Sequence, residues 1–419
     1  MLFRSVNDAG SQITILGNSL FKRYQELFDI KVVLKDGEYP GDYLIDIAKL
    51  IKKIDGNKWL DFKHQKLKDD YFQNFGVRSI IAGIKEDLSS LNINFDKFSY
   101  ESEIVKKNLI VKVFNILKEN NLIYEGVLEK PLGINKEVWQ SRKQLLFRST
   151  NFSDDSDRPF KKSNGEWTYF ANDSAYHYDK YLRGFDKLIN VWGADHIGYI
   201  SRMKSITDVV SKKKNYLDIL VCQIVKLIKN GENLKMSKRD GNFITLNQIF
   251  KEVGRDALRY FMISSKSETP MDFDMNKVIE KNKDNPVFYC QYAYARASSV
   301  IKKAEDNLKI PNLNLSYDLI DISHISKYEW DIILKLLSWP YILKLSADTK
   351  QPHRITNYLE NLCSSFHSFW NKGKDDESLR FIDENNINKT LSKLIWINSF
   401  KHILNKAFNI IGIDSPEQM

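Results

Sequence analysis

The sequence predicts an α/β front followed by an all-helical end, and three observations carry that reading. Residues 285–419 hold Tyr, Leu, Ile, Phe and Trp at helical spacing almost throughout, interrupted by a turn-rich stretch at 309–322 and by Gln351-Pro352. The front two-thirds mixes amphipathic helical segments with short strand-like runs. Within it, Leu188-Ile189-Asn190-Val191-Trp192 is an apolar run of strand length that stops at Gly193, as a buried strand of a parallel sheet would. The change from mixed to helical character lies near residues 275–285.

Taken in order, residues 11–30 carry apolar positions at helical spacing, and 42–54 repeat the pattern after the turn-forming Tyr39-Pro40-Gly41. Segments 73–90 and 101–120 read as further amphipathic helices, separated by the alternating Ile93-Asn94-Phe95-Asp96. The stretch 143–170 reads as strands at KQLLFR and WTYFA around a polar loop at 153–157. A helix at 197–210, a strand near 218–228 and a turn at Asn230-Gly231 follow the apolar run.

Bulk properties set the limits. The chain has 419 residues, room for two or three domains at roughly 100–200 residues each. Its 42% hydrophobic and 28% charged residues suit a soluble chain with a sizeable core. No apolar run reaches the ~18 residues of a membrane helix, and the start offers no signal-peptide core, so a cytoplasmic location is expected. Cys222, Cys290 and Cys363 stand far apart without metal-ligand spacing, which reads as reduced thiols and no zinc. The net charge of +9 fits a polyanionic partner, because lysine and arginine release counterions from phosphates, yet a basic balance alone is weak evidence.

The sharpest local signal is Lys235-Met236-Ser237-Lys238-Arg239, followed by Asp240-Gly241-Asn242. Two ammonium groups on flexible stems and a hydroxyl suit a polar loop that follows phosphate oxygens as a reaction proceeds. The bland alternative is a solvated charge run, the reading given to Ser211-Lys212-Lys213-Lys214.

KMSKR resembles the second signature of class I aminoacyl-tRNA synthetases, and the surrounding phrases resemble arginyl-tRNA synthetases. They are Asn7-Asp8-Ala9-Gly10, Tyr39-Pro40-Gly41-Asp42-Tyr43, the run Thr168 to Asp173, and Asn190 to His196. Gly241-Asn242-Phe243, Asp256-Ala257-Leu258-Arg259, Asp284-Asn285-Pro286-Val287 and the terminal Pro416 to Met419 continue the series in the family's order. The resemblance implies a Rossmann-like class I synthetase core, incomplete at its N-terminus, followed by an all-α anticodon-binding bundle. It divides the chain into a partial nucleotide-binding fold at 1–160, a second catalytic half at 161–280 and a helical DALR-type domain at 281–419.

The implied activity is ATP-dependent ligation of L-arginine to tRNA(Arg), with Mg2+ accompanying ATP. Lys235, Ser237 and Lys238 would neutralise the departing pyrophosphate, and Gly193, Asp195, His196 and Met236 would contact ATP. Tyr169 and Asp173 would hold arginine, a role that suits a carboxylate able to accept a guanidinium through two bonds. By itself Asp173 reads as a helix N-cap and Tyr169 as core, with a structural histidine the alternative for His196. Tyr289, Tyr292, Arg296 and Met419 would lie near the anticodon loop, where bases stack on aromatic rings, though aromatics at helical spacing are also ordinary core. Tyr294 offers a further ring nearby.

His196-Ile197-Gly198-Tyr199 resembles HIGH, the first class I signature, but stands only 39 positions before Lys235 and fits the family's later GADH phrase. The true HIGH would lie upstream of Asn7-Asp8-Ala9-Gly10, and none is found. Two readings follow: an arginine–tRNA ligase, or a remnant or half-enzyme that binds tRNA only, with the upstream part supplied by a separate N-terminal fragment. A cysteine- or methionine-type synthetase is disfavoured by the lack of zinc-ligand cysteines.

Overall fold

A computed structural model of the chain describes residues 2–8, 10–128, 142–152, 154–234, 244–308 and 321–419. Its contacts divide it into two compact units, 1–86 with 94–222 and 87–93 with 223–419.

The first unit opens on β1 (Phe3–Val6), then α1 (Ser11–Glu26), α2 (Tyr43–Asp55) and α3 (Gln65–Ser90). The apolar stripes of these helices close on Leu16, Leu20, Tyr24, Ile47, Ile51 and Phe72. Asp55 ties the far end, accepting from Trp59 Nε1 at 2.7 Å and from the Tyr71 hydroxyl. Helices α1 and α3 approach so closely that a Cβ on Gly17 would sit 2.6 Å from Gln73 Cγ and 3.1 Å from its backbone nitrogen. Gly17→Val should therefore destabilise the protein by about 1–3 kcal/mol, checked by urea denaturation.

β2 (Lys97–Tyr100) then pairs in parallel with β1, Phe3 opposite Lys97 and Val6 opposite Tyr100. The single helix expected over 101–120 is two, α4 (Glu101–Lys106) and α5 (Leu109–Glu119). Asn108 separates them at φ 55°, a left-handed conformation that asparagine tolerates better than most residues. An antiparallel sheet of β3 (Ile123–Gly126), β4 (Gln144–Phe147) and β5 (Arg158–Lys161) follows. β4 is the expected KQLLFR strand, but WTYFA is no strand. Thr168 caps the helix α6 (Tyr169–Leu182), accepting from the Ala171 amide at 3.3 Å. An N-cap followed by a 3.6-residue apolar period outweighs the strand preference of three aromatic residues in a short window.

β6 (Leu188–Gly193), a 3-10 turn at Ala194–Tyr199, α7 (Ile200–Ser211) and β7 (Leu217–Cys222) complete the unit. β6 and β7 are parallel, Leu188 opposite Leu217 through Gly193 opposite Cys222. The strand buries Leu188 and Asn190, whereas Ile189 and Val191 on its other face are 51% and 65% exposed. Helices α5, α6 and α7 share a core through Val113, Leu117, Phe170, Ala175, Met203 and Ile206.

The strand expected over 218–228 is likewise two, because β8 (Val225–Lys229) belongs to the second unit. It turns through Asn230-Gly231 (φ 54° and 79°) into β9 (Glu232–Asn233), the positive-φ pair that a tight hairpin needs. Helix α8 (Leu246–Val253) starts on a reciprocal cap between Thr245 and Gln248. Helix α9 (Arg255–Ser264) follows, then β10 (Met271–Asp274), parallel to β8. Among the described residues the helices that follow are α10 (Pro286–Leu308), α11 (Lys327–Leu337), α12 (Trp339–Thr349), α13 (His353–Asp375) and α14 (Ile387–Ile411).

Asp256-Ala257-Leu258-Arg259 is a staple inside this unit. Arg259 donates to the Ile411 and Leu91 carbonyls, both at 2.7 Å, and Asp256 accepts from Gln291 at 2.7 Å and from the Asp414 amide at 3.1 Å. Gly412 sits at φ +77° where a Cβ would land 2.5 Å from the Arg259 guanidinium carbon. Cys290 and Cys363 are buried free thiols, and burial pushes the Cys363 thiol up.

Candidate functional site

Helix α6 sorts its residues by period. Phe170, Ala171, Ser174, Ala175, His177 and Asp179 are buried, while Tyr169 and Asp173 stand one turn apart on the exposed side. Tyr169 is 86% exposed, so it is not core, and Thr168 holds the cap position, so Asp173 is not the N-cap. The protein packed around Asp173 strips part of its hydration and raises its carboxyl above the ordinary value, although the side chain opens to solvent. The nearby Tyr199 hydroxyl and the charges of Lys180 and His196 oppose that rise. Glu101, at the start of α4, is raised in turn by burial and by the charges of Asp8 and Asp173. Asn172 donates to Glu101 at 3.1 Å, and Asp8 accepts from the Ser102 amide at 2.9 Å. The surface around Asp173 thus concentrates negative charge, which attracts a cation.

Behind Asp173 runs a buried polar line that no motif announced. His177 Nδ1 donates to the Asp173 carbonyl at 2.7 Å, so its Nε2 accepts from Asn190 Nδ2, also 2.7 Å. Asn190 Oδ1 accepts from Lys180 Nζ at 2.8 Å, and that ammonium lies 4.4 Å from the Tyr176 ring centroid. Complete burial holds His177 well below its ordinary pKa, matching the neutral tautomer these bonds require. Burial lowers Lys180 to about 8, helped by the charge of Arg183. Asn190 belongs to the strand phrase, but neither its inward position on β6 nor its partners on α6 were foreseen.

Gly193, Asp195 and His196 stand where β6 ends and the 3-10 turn begins, at the carboxyl end of a parallel pair. Asp195 and His196 are exposed, 3.5 Å apart, which removes the reading of His196 as a satisfied buried histidine. Lys235, Met236, Ser237 and Lys238 lie outside the described residues.

In the second unit, α10 and α13 bring Tyr289, Tyr292 and Arg296 together. Arg296 lies 4.2 Å from the Tyr292 ring centroid and 4.9 Å from that of Trp370. Its Nη1 donates to His367 Nδ1 at 3.0 Å, while His367 Nε2 donates to the Tyr289 carbonyl at 3.1 Å. All three predicted residues are half-buried. Tyr294 is buried core, as its helical spacing allowed. Met419 is 53% exposed and is not among the described contacts of that cluster. His367, 71 residues from Arg296, and Trp370 were not foreseen.

Comparison with known proteins decides the family. Residues 163–274 match the model described as tRNA synthetases class I (I, L, M and V), and 290–419 match the DALR anticodon binding domain. The Arginine--tRNA ligase of Cereibacter sphaeroides (strain KD131 / KCTC 12085) is 41% identical over 416 residues, 99% of this chain and 71% of that protein. That of Azorhizobium caulinodans is 38% identical over 419 residues, with the same coverage. This chain belongs to the arginyl-tRNA synthetases. The arginyl-tRNA synthetase structure from Campylobacter jejuni superposes with a TM-score of 0.81 at 28% identity, covering 100% of this chain and 84% of that one. The Thermus thermophilus arginyl-tRNA synthetase, at 17% identity and TM-score 0.71, shares the fold over 100% of this chain and 75% of its own.

The chain is thus an arginine–tRNA ligase, a class I catalytic domain followed by a helical anticodon-binding domain, and ligases of this class use ATP. The reading as a protein that only binds tRNA gains no support, nor does a separate N-terminal fragment. Among the described residues, no helix is long and apolar enough to cross a membrane.

Proposed function

We propose that this arginyl-tRNA synthetase receives L-arginine at Asp173 and Tyr169 and works in the cytoplasm. The observation that carries the reading is the open, partly desolvated Asp173 carboxylate beside exposed Tyr169, in a neighbourhood that also holds Glu101 and Asp8. A guanidinium pairs with such a carboxylate through two parallel hydrogen bonds, and neutral side chains of the same length cannot.

The chemistry needs no protein nucleophile. The substrate carboxylate attacks the α-phosphorus of ATP, the bond to the β-phosphate oxygen breaks, and pyrophosphate leaves. The terminal tRNA hydroxyl then displaces AMP from the acyl carbon. Gly193, Asp195 and His196, with Met236, are proposed to support the adenosine moiety, and Lys235, Ser237 and Lys238 to stabilise charge on the departing phosphates. Mg2+ is proposed to arrive with ATP, bound by its phosphates. Among the described residues no group of three or more His, Cys, Asp and Glu is disposed to hold a metal. Tyr289, Tyr292 and Arg296, with Met419, are proposed to meet the anticodon loop of tRNA(Arg), rings against bases and guanidinium against phosphate.

ATP–pyrophosphate exchange on the purified chain, with cognate tRNA present, tests this. Exchange should depend on arginine and fall about a hundredfold in Lys238→Ala. Exchange indifferent to arginine would refute the assignment.

A further inference from the structure

Helix α6 carries Tyr169 and Asp173, and strand β6 delivers the turn that begins at Gly193, so the spacing of the two halves of the site is set where these elements meet. At that junction, three strand positions before Gly193, stands Asn190, which is 6% exposed. Its amide spans two residues of α6. Oδ1 accepts from Lys180 Nζ at 2.8 Å, and Nδ2 donates to His177 Nε2 at 2.7 Å. His177 in turn donates through Nδ1 to the main-chain carbonyl of Asp173 at 2.7 Å. The amide has one way to sit. Turned over, its NH2 would face the Lys180 ammonium and its oxygen the lone pair of His177 Nε2.

We infer that Asn190, through His177 and Lys180, is a positioning residue for adenylate formation. It fixes the register of α6 against β6, and with it the place of the arginine carboxylate relative to the α-phosphate. The inference rests on the proposed placement of arginine at Asp173 and of adenosine at Gly193, Asp195 and His196. In that arrangement arginine is anchored by its guanidinium on one element and ATP by its adenosine on the other, so the reacting atoms inherit any slip between the two. Apolar packing is non-directional and resists a slip weakly. Two hydrogen bonds from one amide, to residues about one helical turn apart, oppose both sliding and rotation of the helix. Asn190 lies roughly 10 Å of strand from Gly193, and His177 about one helical turn from Asp173, so the clamp is close to both anchors. Misplacing reacting groups by about 1 Å costs on the order of a hundredfold in rate.

Asn190→Leu combined with Lys180→Met keeps the shape of both side chains and removes the bridge. ATP–pyrophosphate exchange by the full chain with cognate tRNA present, expressed per folded molecule from a melt, separates positioning from stability. Positioning predicts a kcat lower by roughly ten- to a hundredfold, with the KM for arginine and for ATP each within about twofold of the unsubstituted protein. A merely structural amide lowers the melt and leaves kcat per folded molecule alone. That result, or a loss confined to the arginine KM, overturns the inference. Should the double variant not fold, Asn190→Asp decides. It keeps the shape and the Lys180 bond but loses the donor to His177, so kcat should fall about fivefold at unchanged KM; an unchanged kcat overturns the inference. The 15N spectrum of His177, assigned by its loss in His177→Gln, should show the neutral Nδ1–H tautomer, and an Nε2–H form would overturn the bridge itself. An unchanged arginine KM in Asp173→Asn refutes the placement of arginine instead, whatever the Asn190 variants do.

Discussion

Asp173→Asn should lower kcat/KM for arginine about 10^3- to 10^4-fold while leaving the fold intact. The substitution is nearly isosteric, and the side chain is exposed, so no packing is lost. What changes is the partner offered to the guanidinium. An amide presents one acceptor and two donors where the ligand brings only donors, so a two-bond, charge-assisted contact becomes one neutral bond and a clash of like groups. Sites built around a specific polar group reject its absence by that order of magnitude. The loss should appear as a raised KM for arginine with the KM for ATP unchanged. The same carboxylate sets an acid limit. Its pKa is raised by its surroundings, and only the ionised form pairs with arginine. The arginine kcat/KM should therefore fall as pH drops through a midpoint above that of an ordinary aspartate, and that limb should vanish in Asp173→Asn. A variant that keeps full arginine kcat/KM would show that recognition lies elsewhere.

Much of this site was legible because its residues are arranged locally. Tyr169 and Asp173 are four apart on one helix, so their shared face follows from the period alone, and Thr168 before an apolar period is a readable cap. Misreading WTYFA as strand came from weighing aromatic content over that cap. The polar line from Lys180 through Asn190 to His177 was illegible for the opposite reason. It joins helix α6 to strand β6, and its meaning lies in which nitrogen faces which oxygen. Tyr199 was similarly hidden, inside a phrase that resembles HIGH. In the helical unit, spacing gave the helices but not their inner polar residues. Lys393 is nearly fully buried, donating to the Ser378 and Arg380 carbonyls at 3.2 and 2.7 Å, a partnership between segments that a lysine in sequence does not signal. Glu329 is buried as well, because it closes a reciprocal cap with Ser326 and accepts from Trp396 Nε1 at 3.1 Å.

Phe366→Ala should destabilise the helical unit by about 3–5 kcal/mol, lowering its thermal midpoint by roughly 10 °C. Phe366 has no exposed surface and stacks on Phe400 with centroids 4.4 Å apart, with Phe381 at 5.8 Å and Trp370 at 6.2 Å. Removing the ring forfeits its burial and opens a cavity among rigid aromatic neighbours that cannot collapse into it, so the cost belongs at the upper end for a core truncation. Phe366→Leu fills most of that volume and should cost about half as much. The position also separates stability from recognition. His367 and Trp370 on the same helix touch the Arg296 cluster, whereas Phe366 faces the core. At a temperature where both proteins are fully folded, Phe366→Leu should bind tRNA normally, while Arg296→Ala should bind more weakly and show a shallower dependence on salt if Arg296 makes the proposed phosphate contact. Denaturant melts and a salt titration of tRNA binding separate the two. A Phe366→Ala protein with an unchanged melt would mean that α13 packs otherwise than described.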